Sequence, residues 1–311
     1  MQKIDKVMEE LSNIELLVNS FPKDSSNDDL YICALGFEDR CICGTKLLSE
    51  LGYKSNKILL CKYKTHIEEN ETNRDKLINL FNKICLNSYE ELEHDLEIAA
   101  QFDDNLERIL DKILIEKSSK NLNVTFDISS GTTSLILQVL NKLYEFEAVV
   151  KVIYTEALLY YPTREFWEEN KNRWQELERE EIMFHGVKLV KVLPRLEGIS
   201  FLGNRSLLIA FPTFKRSRLG GVIDKLRPSK CIWLIGIPHL EENSWRAETI
   251  RTINEGLFGP HDFVDEVTTF DYKEVLKKLI EIYENENAGY NYNVIIAPLG
   301  SKLQSLAVIL F

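Results

Sequence analysis

Short apolar runs alternate with longer amphipathic stretches along most of the chain. The runs are typical of buried parallel strands, and the stretches between them have the spacing of helices. The predicted strands lie at 30–35, 57–63, 122–128, 148–155, 206–211, 231–237, 266–270 and 293–298. The predicted helices lie at 3–19, 40–51, 71–84, 103–117, from Gly131 to 144, and at 164–181, 217–226, 243–257, 271–285 and 300–311. This alternation predicts right-handed βαβ crossovers and parallel sheets.

The order of elements occurs twice, and 311 residues are enough for two domains that each bury a core. We therefore predict an α/β protein with two tandem Rossmann-like, parallel-sheet lobes and a short N-terminal helix. The expected divisions are an N-terminal helix at 1–27, a first domain at 28–165, a connecting helix and strands at 166–202, and a second domain at 203–311.

The net charge of −11 is unevenly distributed. Residues 1–194 contain 24 Lys and Arg against 35 Asp and Glu, whereas residues 195–311 contain 14 of each. An acidic first half argues against non-specific, charge-driven binding of nucleic acid. A small anionic ligand in a local basic pocket remains compatible with this charge.

The six cysteines lie mostly in apolar runs and lack the spacing of a zinc site, so we expect buried free thiols and no metal. No apolar run approaches the roughly 18 residues of a membrane span, and the N-terminus has no signal-peptide pattern. The sequence therefore predicts a cytoplasmic protein without a membrane partner.

Two stretches, beginning at Asn123 and Asn293, each lead from a strand into a helix through a glycine. Gly131 is followed by Thr132 and Thr133, and Gly300 by Ser301 and Lys302. Such corners bind phosphates because the first amides of a helix attract anions. The first corner also offers Asp127 and Ser130, but no Walker lysine, so P-loop hydrolysis is not predicted. Ordinary Ser/Thr helix capping is the alternative.

The first predicted strand of the first domain ends at Gly36, and Glu38 and Arg40 follow it. In an open α/β sheet this carboxyl edge is where ligands bind, so we predict that these three residues contact the ligand. Capping of the next helix by the acidic residues is the alternative. After the strand at 148–155, Glu156, Tyr161 and Arg164 are predicted to close over the same edge, with packing between the domains as the rival interpretation.

In the second half, Lys215, Arg216 and Arg218 follow a strand and form the most basic stretch of the chain. Together with Lys302 they are predicted to bind phosphates, and a solvated helix face is the alternative. Among the five histidines, His239 alone follows a strand at a carboxyl edge. If the protein is an enzyme, the candidate acid and base residues are Glu38, Asp127 and Glu156.

The stretch from Phe126 to Ser134 resembles the strand-to-helix motif of CARF domains, the Rossmann-like sensors of cyclic oligonucleotides in bacterial defence. The resemblance implies ligand contacts by Ser130, Gly131, Thr132 and Thr133, and by Gly300, Ser301 and Lys302. Ser130 and Thr133 replace a glycine and a lysine of the CARF pattern. The doubled arrangement is also similar to the SAVED sensors.

The leading interpretation is a nucleotide-binding sensor or regulatory subunit of an antiviral defence system, without enzymatic activity. No effector domain is recognisable in the sequence, so the resemblance implies a separate effector subunit, and a homodimer is compatible with it. The alternatives are a nucleotide- or nucleoside-processing hydrolase and a scaffold without catalysis.

Overall fold

The computed structural model describes residues 14–18, 27–36, 38–63, 67–117, 121–157, 159–179, 193, 196 and 200–311. The chain divides into two compact units, the first Met1–Leu158 with Leu193–Arg195, and the second Leu159–Val192 with Leu196–Phe311. None of the helices within the described ranges is both long and apolar enough to cross a membrane.

The first unit contains a six-stranded sheet in which every described pairing is parallel. Its strands are β1 (Ile14–Val18), β2 (Asp28–Ala34), β3 (Ser55–Lys62), β4 (Cys85–Glu93), β5 (Asn123–Asp127) and β6 (Val149–Tyr154). Its helices of more than one turn are α1 (Arg40–Glu50), α2 (Ile67–Ile84), α3 (Ala99–Lys117) and α4 (Thr133–Glu145).

The strands of the first unit lie in the spatial order β1-β6-β5-β2-β3-β4. From β4 to β6 this is the Rossmann order, with β1 in the sixth position. The chain moves outward from β2 in both directions, so the switch in strand order lies between β2 and β5. All seven residues of β2 are buried, which explains the continuous apolar run that predicts this strand.

The second unit has a four-stranded sheet in the order β10-β7-β8-β9, again with parallel pairings only. Its strands are β7 (Arg205–Ala210), β8 (Lys230–Ile237), β9 (Phe263–Thr268) and β10 (Tyr292–Ala297). Its helices are α5 (Arg164–Asn170), α6 (Trp174–Arg179), α7 (Arg216–Leu226), α8 (Trp245–Asn254), α9 (Tyr272–Asn285), α10 (Ala288–Asn291) and α11 (Lys302–Leu310). The switch in strand order lies between β7 and β10, the counterparts of β2 and β5.

The α/β class and the two parallel-sheet, Rossmann-like units are confirmed. The predicted N-terminal helix at 3–19 is wrong over 14–18, where β1 pairs with β6; the part before residue 14 lies outside the described residues. An apolar stretch that short fits a strand as well as a helical face, so its periodicity alone does not separate the two.

Two further differences from the predicted elements concern residues 85–93 and the boundary between the two units. The strand β4 was not predicted, because most of its positions are exposed and polar at the edge of the sheet. The second unit begins at Leu159, whereas the sequence predicts the end of the first domain at 165 and a connecting segment from 166 to 202. The strand pair predicted around 187–201 lies largely outside the described residues.

Candidate functional site

At the switch point of the first unit, the loop after β2 packs tightly against the loop after β5. The Ser130 hydroxyl donates a hydrogen bond to the carbonyl oxygen of Ala34 at 2.5 Å. A Cβ atom on Gly36 would lie 2.9 Å from the Cβ of Ser130, closer than side chains tolerate. Gly36 is therefore required for the close approach of the two loops.

The N-terminus of α4 lies at this switch point. Thr132 caps the helix, because its side-chain oxygen accepts a hydrogen bond from the amide of Leu135 at 3.3 Å. The amide of Thr132 itself points away from the helix and donates to the phenol oxygen of Tyr63 at 2.8 Å. Burial raises the pKa of Tyr63 to about 12, so this oxygen belongs to a neutral phenol at ordinary pH.

Asp127 orders the loop that leads into α4. Its carboxylate accepts a hydrogen bond from the amide of Ser129 at 2.9 Å, and the hydroxyl of Ser129 accepts one from the amide of Thr155 at 2.8 Å. Asp127 is 2% exposed, and a Cβ atom on Gly44 of α1 would clash with its carboxylate. The buried carboxylate thus faces the interior, and its observed contacts position the loop.

The loop after β2 brings Glu38 and Arg40 to the same edge of the sheet, where they form an ion pair with each other. The side chain of Arg40 is 20% exposed and that of Glu38 is 45% exposed. The Asn73 side-chain amide of α2 donates to the carbonyl oxygen of Gly36 at 3.0 Å and fixes the loop.

Eight of the predicted ligand residues therefore lie together at the switch point of the first unit, in the loops that follow β2 and β5. They are Gly36, Glu38, Arg40, Asp127, Ser130, Gly131, Thr132 and Thr133. Glu156 follows β6 at the same carboxyl edge.

The corner of the second unit has the same construction with a different acceptor. Ser301 caps α11, and its amide donates to the side-chain oxygen of Gln304 at 2.8 Å in a complete capping box. The other end of the Gln304 carboxamide donates to the carbonyl oxygen of Thr268 at 3.1 Å. A Cβ atom on Gly300 would lie 3.0 Å from the Cβ of Phe211. This corner is closed by its own helix.

The basic residues of the second unit lie on different elements. Arg216 donates from its guanidinium to the carbonyl oxygen of Ile253 at 3.1 Å, so it contacts the end of α8. Lys215 precedes α7, Arg218 is exposed on that helix, and Lys302 begins α11.

Tyr161 and Arg164, predicted to close over the edge of the first sheet, belong to the second unit. Arg246 holds this segment by donating to the carbonyl oxygens of Tyr160, Tyr161 and Pro162 at 3.4, 3.2 and 2.7 Å. Its guanidinium also lies 4.6 Å from the ring centre of Phe214, and burial lowers its pKa to about 10. These contacts fix the backbone of residues 160–162 within the second unit.

His239 lies at the carboxyl end of β8, as its position in the sequence predicts. Its ring packs 4.1 Å from the ring centre of Phe270, beside an open pocket of about 330 Å³ whose wall includes Glu266 and Glu274. No group of three or more His, Cys, Asp or Glu side chains suited to a metal ion occurs in the described part of the chain.

Sequence reasoning missed Tyr63 and Gln304 as residues of the two corners. Tyr63 directly follows β3, at the same carboxyl edge as the corner, and its place after the strand was the available signal. Gln304 stands three residues after Ser301, which is the spacing of a capping box.

The chain matches no protein-family model and no curated protein.

Proposed function

We propose that the first unit binds the phosphate of a nucleotide at the corner formed by Gly36, Ser130, Gly131 and Thr132. The protein then acts as a nucleotide sensor or regulatory subunit. The observation that carries the proposal is the amide of Thr132, which donates to the phenol oxygen of Tyr63, the residue after β3, at 2.8 Å. Tyr63 supplies an acceptor oxygen where a phosphate oxygen would bind, and a phosphate can replace it without unwinding α4.

Local charge supports this assignment although the chain as a whole is acidic. At the carboxyl ends of β3 and β4, the carboxylate of Glu91 accepts from Lys62 at 2.9 Å and from Arg74 at 2.7 Å. Burial opposes ionisation of Glu91, but these two cations lower its pKa. Two cations thus share one carboxylate at this edge of the sheet.

The resemblance to CARF domains narrows the proposal to a cyclic oligonucleotide signal that is passed to a separate effector subunit. The hydrolase alternative has less support from the contacts of its candidate residues. Glu38 pairs with Arg40, and Asp127 is buried and holds the amide of Ser129. Glu156, the third candidate, also has interactions of its own.

Calorimetric titration with pyrophosphate, ATP and cyclic oligoadenylates tests the proposal, with the recovered ligand analysed for turnover. We expect saturable binding without turnover, and Arg40→Gln should weaken it by about tenfold through loss of a charged contact. Arg205→Gln is the matched control, because Arg205 is exposed at the amino end of β7. Absence of binding by every probe, or an equal loss in both variants, would contradict the proposal, and turnover would favour the hydrolase.

A further inference from the structure

A pocket of about 350 Å³ opens in the first unit where β4 ends and α3 begins. Its wall consists of Leu92, Glu93, Ile98, Gln101, Phe102 and Asn105. Leu92 and Phe102 are 8% and 0% exposed, so the pocket has a firm apolar base. Its volume and mixed lining are those of a small-molecule site with a few orienting polar groups.

Two carboxamides line the pocket from α3. Gln101 and Asn105 are four residues apart and therefore lie on the same face of the helix. Neither side chain makes a hydrogen bond with another residue in the described ranges. Each carboxamide offers both a donor and an acceptor, which is the pattern that pairs with the edge of an adenine-type base.

The pocket lies on the same edge of the sheet as the Thr132 corner. β4 is two strands from β2 and three from β5, a separation of roughly 10–15 Å from the strands that lead into the corner. Tyr63 and His94 occupy the intervening edge, with ring centres 5.8 Å apart, and His94 lies 4.8 Å from Phe102. One aromatic row therefore runs from the corner to the wall of the pocket.

The row is rigidly held. The His94 ring nitrogen Nε2 and the side-chain oxygen of Gln138 are 2.9 Å apart, and the Gln138 side-chain nitrogen donates to the carbonyl oxygen of Ala99 at 2.9 Å. Gln138 belongs to α4 and Ala99 begins α3, so these bonds tie the helix of the corner to the helix of the pocket. The distance between the two sites is thereby set by the protein.

We infer that this pocket binds the base of the nucleotide, with Gln101 and Asn105 reading the hydrogen-bonding edge of an amino-bearing purine. The inference rests on the proposed function for the phosphate, but the base site has its own cavity and its own side chains. Glu93 on the wall accepts hydrogen bonds from an amino group and disfavours a phosphate. The phosphate is thus directed to the corner and the base to the pocket.

The test is a titration of the full chain with adenosine, ATP and pyrophosphate. Asn105→Leu and Gln101→Leu should each weaken adenosine and ATP by about tenfold through loss of a paired edge contact, with pyrophosphate binding unchanged. Asn82→Leu is the matched control, because Asn82 is exposed on α2. Circular dichroism melting verifies that the three variants fold alike.

The outcomes separate the two proposals. Loss of adenosine binding in the pocket variants supports the base site. If pyrophosphate does not bind in the same experiment, the phosphate site at the corner is wrong but the base site stands. Pyrophosphate binding together with undiminished nucleotide binding in both pocket variants overturns the base site alone. Failure of every probe to bind overturns both.

Discussion

The two corners have the same backbone design and differ in where the acceptor for the capping residue's amide comes from. In the second unit, Gln304 supplies it from the same helix and completes a capping box. In the first unit, Tyr63 supplies it from the position that follows β3, and position 135 of the helix is Leu. The amide of Ser301 is bound by an acceptor from its own helix, so a ligand would have to break the capping box. The amide of Thr132 is bound by a side chain from another element, so a ligand oxygen can replace that side chain. Duplicated architecture therefore does not imply duplicated sites.

The largest expected effect comes from adding a methyl group at the contact between the loops of the first corner. Gly36→Ala should destabilise the protein by about 2–3 kcal/mol, because the new Cβ overlaps that of Ser130 and the loops must separate. Chemical denaturation measures the change. Gly220→Ala is the control, since open space surrounds Gly220 on α7 and alanine there is neutral or stabilising.

A Ser130→Gly substitution added to Gly36→Ala should recover part of the lost stability by removing the opposing Cβ, while it also removes the Ser130 hydrogen bond to Ala34. Equal stability of Gly36→Ala and Gly220→Ala would mean that the loops do not approach as closely as described.

The next effect concerns the closed corner. Gln304→Leu should cost about 1–3 kcal/mol of unfolding free energy, because the amide of Ser301 and the carbonyl of Thr268 lose their partner in a partly buried site. The same denaturation experiment measures it. Pyrophosphate should not bind this corner in either form, and a gain of binding in Gln304→Leu would show that the two corners are equivalent after all.

A smaller stability change with a gain of binding is expected at the open corner. Tyr63→Phe removes the oxygen on the Thr132 amide, which is exposed enough for water to replace it, so stability should fall by about 1 kcal/mol or less. Pyrophosphate should bind about three- to tenfold more tightly, because it no longer competes with the phenol. Calorimetry compares this variant with Tyr144→Phe, an exposed tyrosine on α4. Unchanged affinity would remove Tyr63 from the site.

The smallest effect is a pH dependence of stability behind the first corner. Burial lowers the pKa of His94, and its hydrogen bond to Gln138 only partly offsets this. The folded protein therefore binds the proton less readily than the unfolded chain, whose histidine pKa is about 6.5. The stability that neutral, buried His94 contributes is fully present above pH 6.5, and it is lost as the pH falls toward the lower pKa of His94 in the folded protein. Thermal melts at pH 7.5 and 5.0 should show a smaller decrease for His94→Gln than for His261→Gln, an exposed control.

Much of the fold follows from the sequence because buried parallel strands leave continuous apolar runs. β2 and β8 are recognisable for this reason, and the glycines at 131 and 300 mark both corners. β4 escapes prediction because an exposed edge strand carries polar residues. The acceptor at the first corner escapes prediction because Tyr63 acts across strands, whereas Gln304 has the spacing of a capping box with Ser301. The sequence order also does not reveal the contacts of Arg246 with the segment that contains Tyr161.

The central claim is that the Thr132 corner binds an anion and the Ser301 corner does not. Amide chemical shifts of the labelled protein, followed during titration with pyrophosphate, test it most directly. The account predicts saturable shifts of the Gly131 and Thr132 amides while the amides of Gly300 and Ser301 stay in place. Stationary Gly131 and Thr132 signals, or equal movement at both corners, would contradict it.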